Sequence, residues 1–281
     1  MICCRGRSLS EKGGGLTQTP FLPDHTRALK PADTPHREVS LWAMIWQGAW
    51  PAVIDADGLA RKAFYDALVA RYVERDVRPL VNLAKPDKFR VFLRALAMVS
   101  GEELRFNVIS RFAGVHTTTV KRWLTVAERT GLIYLLPPFD GRIGRQLVKS
   151  PKIYLIDTGL LAHLLRIDSP QTMAEHPLAE KFFETFVVTE ILKSWVHNGR
   201  TPDFCFFKES RGMEIALLIR SGGKYFPVAV TTKQHPLPAD SKWSLKLARL
   251  GVKTGPAAVI STEPGAYAVA PDVVVQNVWS I

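Results

Sequence analysis

The sequence is poor in cysteine and has no long apolar run. Its three cysteines are Cys3, Cys4 and Cys205. They are too few for a disulfide framework, and no set of Cys and His residues has the spacing of zinc ligands. A membrane-spanning helix would need about 18 or more consecutive apolar residues, which the chain does not contain, and Met1–Arg5 does not start an apolar signal peptide. We therefore expect no metal site, no membrane contact and a reducing, cytoplasmic location.

A phosphate-binding loop is also missing. Such a loop needs Gly, four residues and then Gly-Lys-Ser/Thr, because its backbone amides wrap around phosphate. The segment Gly222-Gly223-Lys224 is followed by Tyr225 and has Leu218 in place of the first glycine. It fits a hairpin turn better. The sequence thus predicts that this chain binds no nucleotide and carries no cofactor.

Positive charge and apolar residues are plentiful. The chain has 281 residues, a formal net charge of +11 and a pI of about 9.7. A strong positive charge favours anionic partners such as nucleic acid. A basic protein without any such partner is an alternative of equal weight. The hydrophobic fraction of 47% is ample for a packed core, and the length allows about two domains.

Composition and periodicity divide the chain into three segments. Residues 1–38 mix glycines, prolines and polar residues without a hydrophobic period, which predicts a flexible tail. Residues 39–156 are predicted to form a helical and winged-helix domain, in which 58–78 and 87–99 are amphipathic helices. Residues 157–281 are predicted to form an α/β domain. The fold class is therefore α/β (α+β).

The winged helix is predicted from the segment that begins at Asn107. A short helix ends at Ala113-Gly114, where glycine permits a tight turn before the next helix. The strand Ile133–Leu136 follows, and a second apolar run, Lys152–Ile156, is expected to pair with it as the wing. The second helix places four apolar residues on one face, which we expect to be buried: Val120, Trp123, Leu124 and Ala127.

The opposite face of that second helix is predicted to contact DNA. Its hydroxyls and cations suit phosphate and base-edge contacts in a major groove. These residues are Thr117, Thr118, Lys121, Arg122, Thr125 and Arg129. A basic stretch between the wing strands adds Arg142, Arg145, Lys149 and Lys152. The alternative is a winged helix that packs against protein, since a fold does not fix a function.

The C-terminal segment has the pattern of an α/β layer. Asp157 is expected to cap a helix, and a longer helix is predicted over 179–195. We interpret His163, inside the first of these helices, as structural. Alternating apolar residues then predict an antiparallel meander, followed by a helix over 241–250 and a buried strand over 257–261. The three meander strands are 204–208, 213–220 and 225–231.

Six motifs in this order resemble the C-terminal region of bacterial and archaeal AAA-type ATPases that carry domain of unknown function 4143. The resemblance runs from about Val39 to near the C-terminus, and six motifs in register make it specific. They are Trp46-Gln-Gly-Ala-Trp-Pro51, Tyr72-Val-Glu-Arg-Asp-Val77, Thr119-Val-Lys-Arg-Trp-Leu124, Lys149-Ser-Pro-Lys-Ile-Tyr154, Asp157-Thr-Gly-Leu-Leu161 and Phe183-Glu-Thr-Phe-Val-Val-Thr-Glu190.

The resemblance implies an ATPase domain in front of this region. Because only about forty residues precede the first motif, we expect that domain to be absent from this chain. A truncated gene product and one half of a split system are both consistent with this arrangement.

The resemblance also implies a restriction-endonuclease-like fold for the last domain. Active members of that fold hold Mg²⁺ with an Asp and a Glu-x-Lys, and the metal activates the attacking water. In this chain those three positions carry Ala216, Ala229 and Thr231. The nuclease site is therefore expected to be degenerate. Three acidic residues remain as candidates for residual chemistry: Glu184, Glu190 and Glu214.

The sequence as a whole favours a non-enzymatic module that binds DNA, a partner protein or both. A divergent metal-dependent nuclease that uses the three remaining glutamates is one alternative. A stable remnant without activity is another. For Glu184 and Glu190 the structural interpretation is a charge near the helix N-terminus and a solvated residue, respectively.

Overall fold

The structure is a computed structural model, and it describes residues 19–24, 40–81, 86–140, 149–209, 212–236 and 243–281. These residues form helices and two β-sheets, which confirms the predicted α+β class. The chain divides into two compact units. The first contains Val39–Leu135 and Lys152–Thr189, and the second contains Leu136–Pro151 and Glu190–Ile281.

Seven helices and two short strands lie in the described part of the first unit. Helix α8 (Ala179–His197) has residues in both units. The first-unit elements are α1 (Leu41–Gln47), α2 (Gly58–Arg71), α3 (Pro86–Met98), α4 (Phe106–Ala113), α5 (Thr117–Arg129), β1 (Ile133–Leu136), β2 (Lys152–Leu155), α6 (Thr158–Leu164) and α7 (Pro170–Ala174).

The helix predicted over 58–78 is not a single α-helix. Helix α2 ends at Arg71, and a π-helical segment, Tyr72–Val77, continues it. The wider turn buries Tyr72, Val73 and Val77, and the Tyr72 hydroxyl lies 2.8 Å from Thr130 Oγ1. The π segment therefore continues the helix with three apolar side chains in the core.

The two helices and the two strands that the sequence predicts between residues 107 and 156 are present. Gly114 ends α4 with a left-handed backbone (φ 62°), and α5 begins three residues later. All four residues predicted to form the inner face of α5 are buried. Strands β1 and β2 form a two-stranded sheet.

A buried carboxylate joins three parts of the first unit. Asp157 caps α6 through the Leu160 amide (2.7 Å), and it also accepts hydrogen bonds from the Ala49 amide (2.8 Å) and the Tyr65 hydroxyl (2.8 Å). Burial and the neighbouring carboxylate raise the pKa of Tyr65 well above its usual value. Two of the six motifs, around residues 46–51 and 157–161, thus meet at one structural contact.

The second unit contains a six-stranded sheet in the order β3-β4-β5-β6-β8-β7. The antiparallel pairing of β3, β4 and β5 confirms the predicted meander, whereas β5, β6 and β8 are parallel. Strands β7 and β8 were not predicted. The elements are β3 (Phe204–Lys208), β4 (Glu214–Ser221), β5 (Lys224–Val230), α9 (Trp243–Arg249), β6 (Ala257–Ser261), β7 (Ala266–Ala270) and β8 (Val273–Asn277).

Candidate functional site

The outer face of α5 presents hydroxyls and cations to solvent. Six side chains on this face are exposed, whereas Trp123 and Leu124 point into the core. The Thr125 hydroxyl donates to the Lys121 carbonyl oxygen (3.1 Å), so part of its hydrogen-bonding capacity is used within the helix. The exposed residues are Thr117, Thr118, Lys121, Arg122, Thr125 and Arg129. The structure therefore brings all six candidates on this helix to one surface.

The start of α5 is open to a ligand. No side chain caps the helix at His116, and the first residues of the helix are exposed. Backbone amides at such a helix start bind phosphate well, because they are unpaired within the helix and lie at the positive end of its dipole. The helix start therefore adds neutral donors to the cationic face of α5.

Three further basic residues lie around α4 and its turn at Gly114, and the sequence analysis did not single them out. Arg105 is exposed just before α4, and Arg111 is exposed on it. The Lys88 ammonium nitrogen lies close to Gly114, since a Cβ atom added at that glycine would be 2.7 Å from it. Segment 105–130 contains five basic residues and one acidic residue, Glu128. The charge balance of this segment was readable from the sequence, but the position of Lys88, on a separate helix, was not.

The basic stretch predicted between residues 142 and 152 is only partly described. Lys149 is exposed, whereas Arg142 and Arg145 lie outside the described residues. Lys152 was wrongly assigned to the DNA-contacting stretch. Its side chain is 1% exposed, and its ammonium nitrogen lies 2.6 Å from Glu184 Oε1.

Glu184 is the centre of a buried polar cluster in the first unit. Its carboxylate accepts hydrogen bonds from Lys152 and from the Tyr154 hydroxyl (2.8 Å), and the Lys181 ammonium lies 3.6 Å from its second oxygen. Two further motifs of the sequence, around residues 149–154 and 183–190, meet in this cluster. The contacts assign Glu184 to the interior of the fold, where its carboxylate is held by neighbouring donors.

Glu190 is buried, so its interpretation as a solvated residue was wrong. Its side chain is 1% exposed and lies 2.7 Å from the Lys193 ammonium nitrogen, which is also buried. A buried carboxylate with a charged partner keeps its hydrogen bonds satisfied.

The three replaced positions of the nuclease-like site lie on β4 and at the end of β5. The β4–β5 pairing ends at Leu217↔Val228, and the β3–β4 register shifts between Leu218 and Ile215, so Ala216 lies at an irregularity of β4. Ala229 packs against the apolar core of the second unit, and Thr231 follows β5. Glu214 forms an ion pair with Lys208 (2.7 Å) on the neighbouring strand. In the described residues, no three Asp, Glu, His or Cys side chains are grouped to hold a metal ion.

Comparison with known proteins bears on the two parts of the chain separately. Residues 38–171 match the model described as Domain of unknown function (DUF8612), and residues 179–281 match the one described as Domain of unknown function (DUF4143). The second match confirms the prediction of domain of unknown function 4143 for residues 179–281, while residues 38–171 match a different model. Among the described residues, no helix is long and apolar enough to cross a membrane.

Two curated proteins are similar to most of the chain. They are uncharacterized protein Rv2008c of Mycobacterium tuberculosis and uncharacterized protein Mb2031c of Mycobacterium bovis. Each is 26% identical over 194 residues, which is 68% of this chain and 43% of the relative. The matched region thus spans less than half the length of these relatives. No solved structure gives a significant match. The chain is therefore similar, over its C-terminal part, to proteins that carry DUF4143.

Proposed function

We propose that this chain is a non-enzymatic module that binds duplex DNA through a winged helix, with α5 as the recognition helix. The observation that carries the proposal is the exposed face of α5, where threonine hydroxyls and three cations stand together on a helix whose other face is fully packed. Helices of this kind enter the major groove while β-strands of the wing approach the backbone.

The chemistry of the face supports contact with phosphate first. Lys121, Arg122 and Arg129 supply charge, and the open start of α5 supplies backbone donors. The threonines Thr117 and Thr118 lie in the first turn, which is the part of a recognition helix that reaches base edges. Lys149 is also exposed and is a further candidate for phosphate contact.

The resemblance adds an expectation about the partner protein. Similarity to AAA-type ATPases with DUF4143 favours a role beside such an ATPase, in the same or a separate chain. On this proposal ATP hydrolysis belongs to that partner, and this chain supplies DNA contact, protein contact or both.

A metal-dependent nuclease is the less favoured alternative. Ala216, Ala229 and Thr231 offer no carboxylate to Mg²⁺. The carboxylate of Glu214 is already paired with Lys208. Cleavage of plasmid DNA in Mg²⁺ or Mn²⁺, lost in Glu214→Ala, would favour the nuclease over the DNA-binding module.

The DNA proposal is tested by fluorescence anisotropy with a labelled duplex of mixed sequence. Each phosphate contact contributes about −0.9 to the slope of log K against log salt. The double variant Lys121→Ala/Arg122→Ala should therefore bind more weakly, and its slope should be shallower by about 1.8. The matched control is Lys224→Ala/Lys253→Ala, which removes two exposed charges of the second unit. Equal loss in both variants, or binding that salt does not change, would refute the proposal.

A further inference from the structure

A second surface of the first unit has the properties of a binding site. A cavity of about 1240 Å³ lies against α2, α3 and α6. Its lining combines apolar side chains, among them Leu59, Val91 and Ile167, with arginines at the rim. We call it the arginine cavity, after Arg90, Arg94 and Arg166. It shares no lining residue with the face of α5.

The acidic residues of the arginine cavity are already engaged by their neighbours. Asp57 accepts from the Ala60 amide (2.7 Å) as the cap of α2, and Asp168 accepts from the Thr172 hydroxyl (3.0 Å). Asp66 lies 2.7 Å from the Lys62 ammonium nitrogen and 3.3 Å from His163 Nε2. Arg61 and Lys62 also line the cavity, so five cations stand against these three carboxylates and the lining keeps a positive excess.

Two of the three arginines are available to a ligand. Over the residues that the structure describes, the guanidinium groups of Arg94 and Arg166 form neither an ion pair nor a hydrogen bond, and both are exposed. Arg90 pairs with Asp87 (3.1 Å), but both side chains are largely exposed, so the pair is weak. The rim thus offers a cluster of cations above an apolar wall.

The backbone conformation of Arg166 favours a role of this residue in ligand binding rather than in folding. Its φ is 60°, a left-handed conformation that usually selects glycine after the end of a helix. Arginine at this position strains the backbone, and its guanidinium forms no contact in the described residues that would explain the choice. A ligand of negative charge would explain it.

We propose that the arginine cavity binds an acidic peptide segment of a partner protein. Arg94 and Arg166 bind the carboxylates of the peptide, and its aliphatic side chains pack against the apolar wall of the cavity. The volume exceeds the range of about 300–1,000 Å³ that is usual for small-molecule sites, which favours a peptide. The apolar wall disfavours DNA, whose interfaces are more polar and strongly positive.

The test is a selection of random twelve-residue peptides displayed on phage against the whole chain. The enriched peptides are then synthesised with a fluorescent label, and their affinity is measured by anisotropy. We expect the peptides to be rich in Asp and Glu with interspersed aliphatic residues. Arg94→Glu/Arg166→Glu should weaken their binding at least tenfold, whereas the charge-matched control Lys224→Glu/Lys253→Glu should leave it unchanged.

A second variant separates binding from folding. Arg166→Gly relieves the left-handed backbone, so it should weaken peptide binding without lowering the melting temperature. The proposal is overturned if no acidic peptides are enriched, or if the enriched peptides bind the double variant and the wild type equally. The cavity would instead be a nucleic-acid site if Arg94→Glu/Arg166→Glu abolished binding of the DNA duplex and Lys121→Ala/Arg122→Ala did not, and this result would also overturn the proposal.

Discussion

Removing the Lys152 ammonium should strongly destabilise the first unit. This side chain is 1% exposed, and it donates to the carboxylate of Glu184, which is 13% exposed. Truncating one member of a buried ion pair leaves the other charge without its partner, and this typically costs about 3–5 kcal/mol. Tyr154 still donates to Glu184, and Lys181 lies 3.6 Å away. We therefore expect Lys152→Ala to lower the free energy of unfolding by about 3 kcal/mol, the low end of that range.

Urea unfolding followed by circular dichroism measures this loss. The control is Lys62→Ala, because the Lys62–Asp66 ion pair has nearly the same length (2.7 Å) but its side chains are 68% and 53% exposed. An exposed pair of this kind contributes less than about 1 kcal/mol. Lys152→Met/Glu184→Gln, which removes both charges, should recover most of the stability. The reasoning fails if Lys152→Ala and Lys62→Ala destabilise the chain equally.

Three further predictions follow from local geometry. Gly159→Ala should lower the free energy of unfolding in urea by about 1–3 kcal/mol, because the added methyl group would lie 2.7 Å from Gly48 Cα. The control Gly58→Ala has open space around the added methyl group and should be neutral. Equal effects of the two substitutions would contradict this. Burial raises the pKa of Cys205 to about 12, so iodoacetamide at pH 8 should modify this thiol only after the chain unfolds. Peptide mass spectrometry measures the modification, and rapid reaction in the folded chain would contradict this. Burial lowers the pKa of His163. As the pH is lowered, the imidazole of His163 is therefore protonated in the unfolded chain before it is in the folded chain. The melting temperature should decrease once the pH drops below about 6.5, and it should decrease less in His163→Gln. Identical pH profiles of the two proteins would argue against this.

The elements that the sequence predicts well are those set by local patterns. The buried face of α5 follows from apolar residues at helical spacing, and the turn before it follows from Gly114. The meander of β3, β4 and β5 follows from alternation and from the glycine turn at 222–223. In these regions each signal lies within a few residues of the structure that it specifies.

What the sequence does not predict depends on contacts between distant residues. Lys152 resembles a solvated wing residue until Glu184, 32 positions later, is seen beside it. Strand β8 pairs with β6 and with β7, and its apolar run alone does not distinguish it from a buried helix segment. The arginine cavity gathers its rim from helices α2, α3 and the end of α6, so no motif marks it.

Photo-cross-linking from α5 tests the DNA-binding proposal most directly. p-Benzoylphenylalanine in place of Thr118 puts the reactive group in the first turn of α5. The same residue in place of Lys224 puts it at the exposed start of β5 in the second unit. With a labelled DNA duplex, we predict a cross-link from position 118 that disappears as salt is raised. Absence of a cross-link from 118, or an equal one from 224, would contradict the proposal that α5 is the recognition helix.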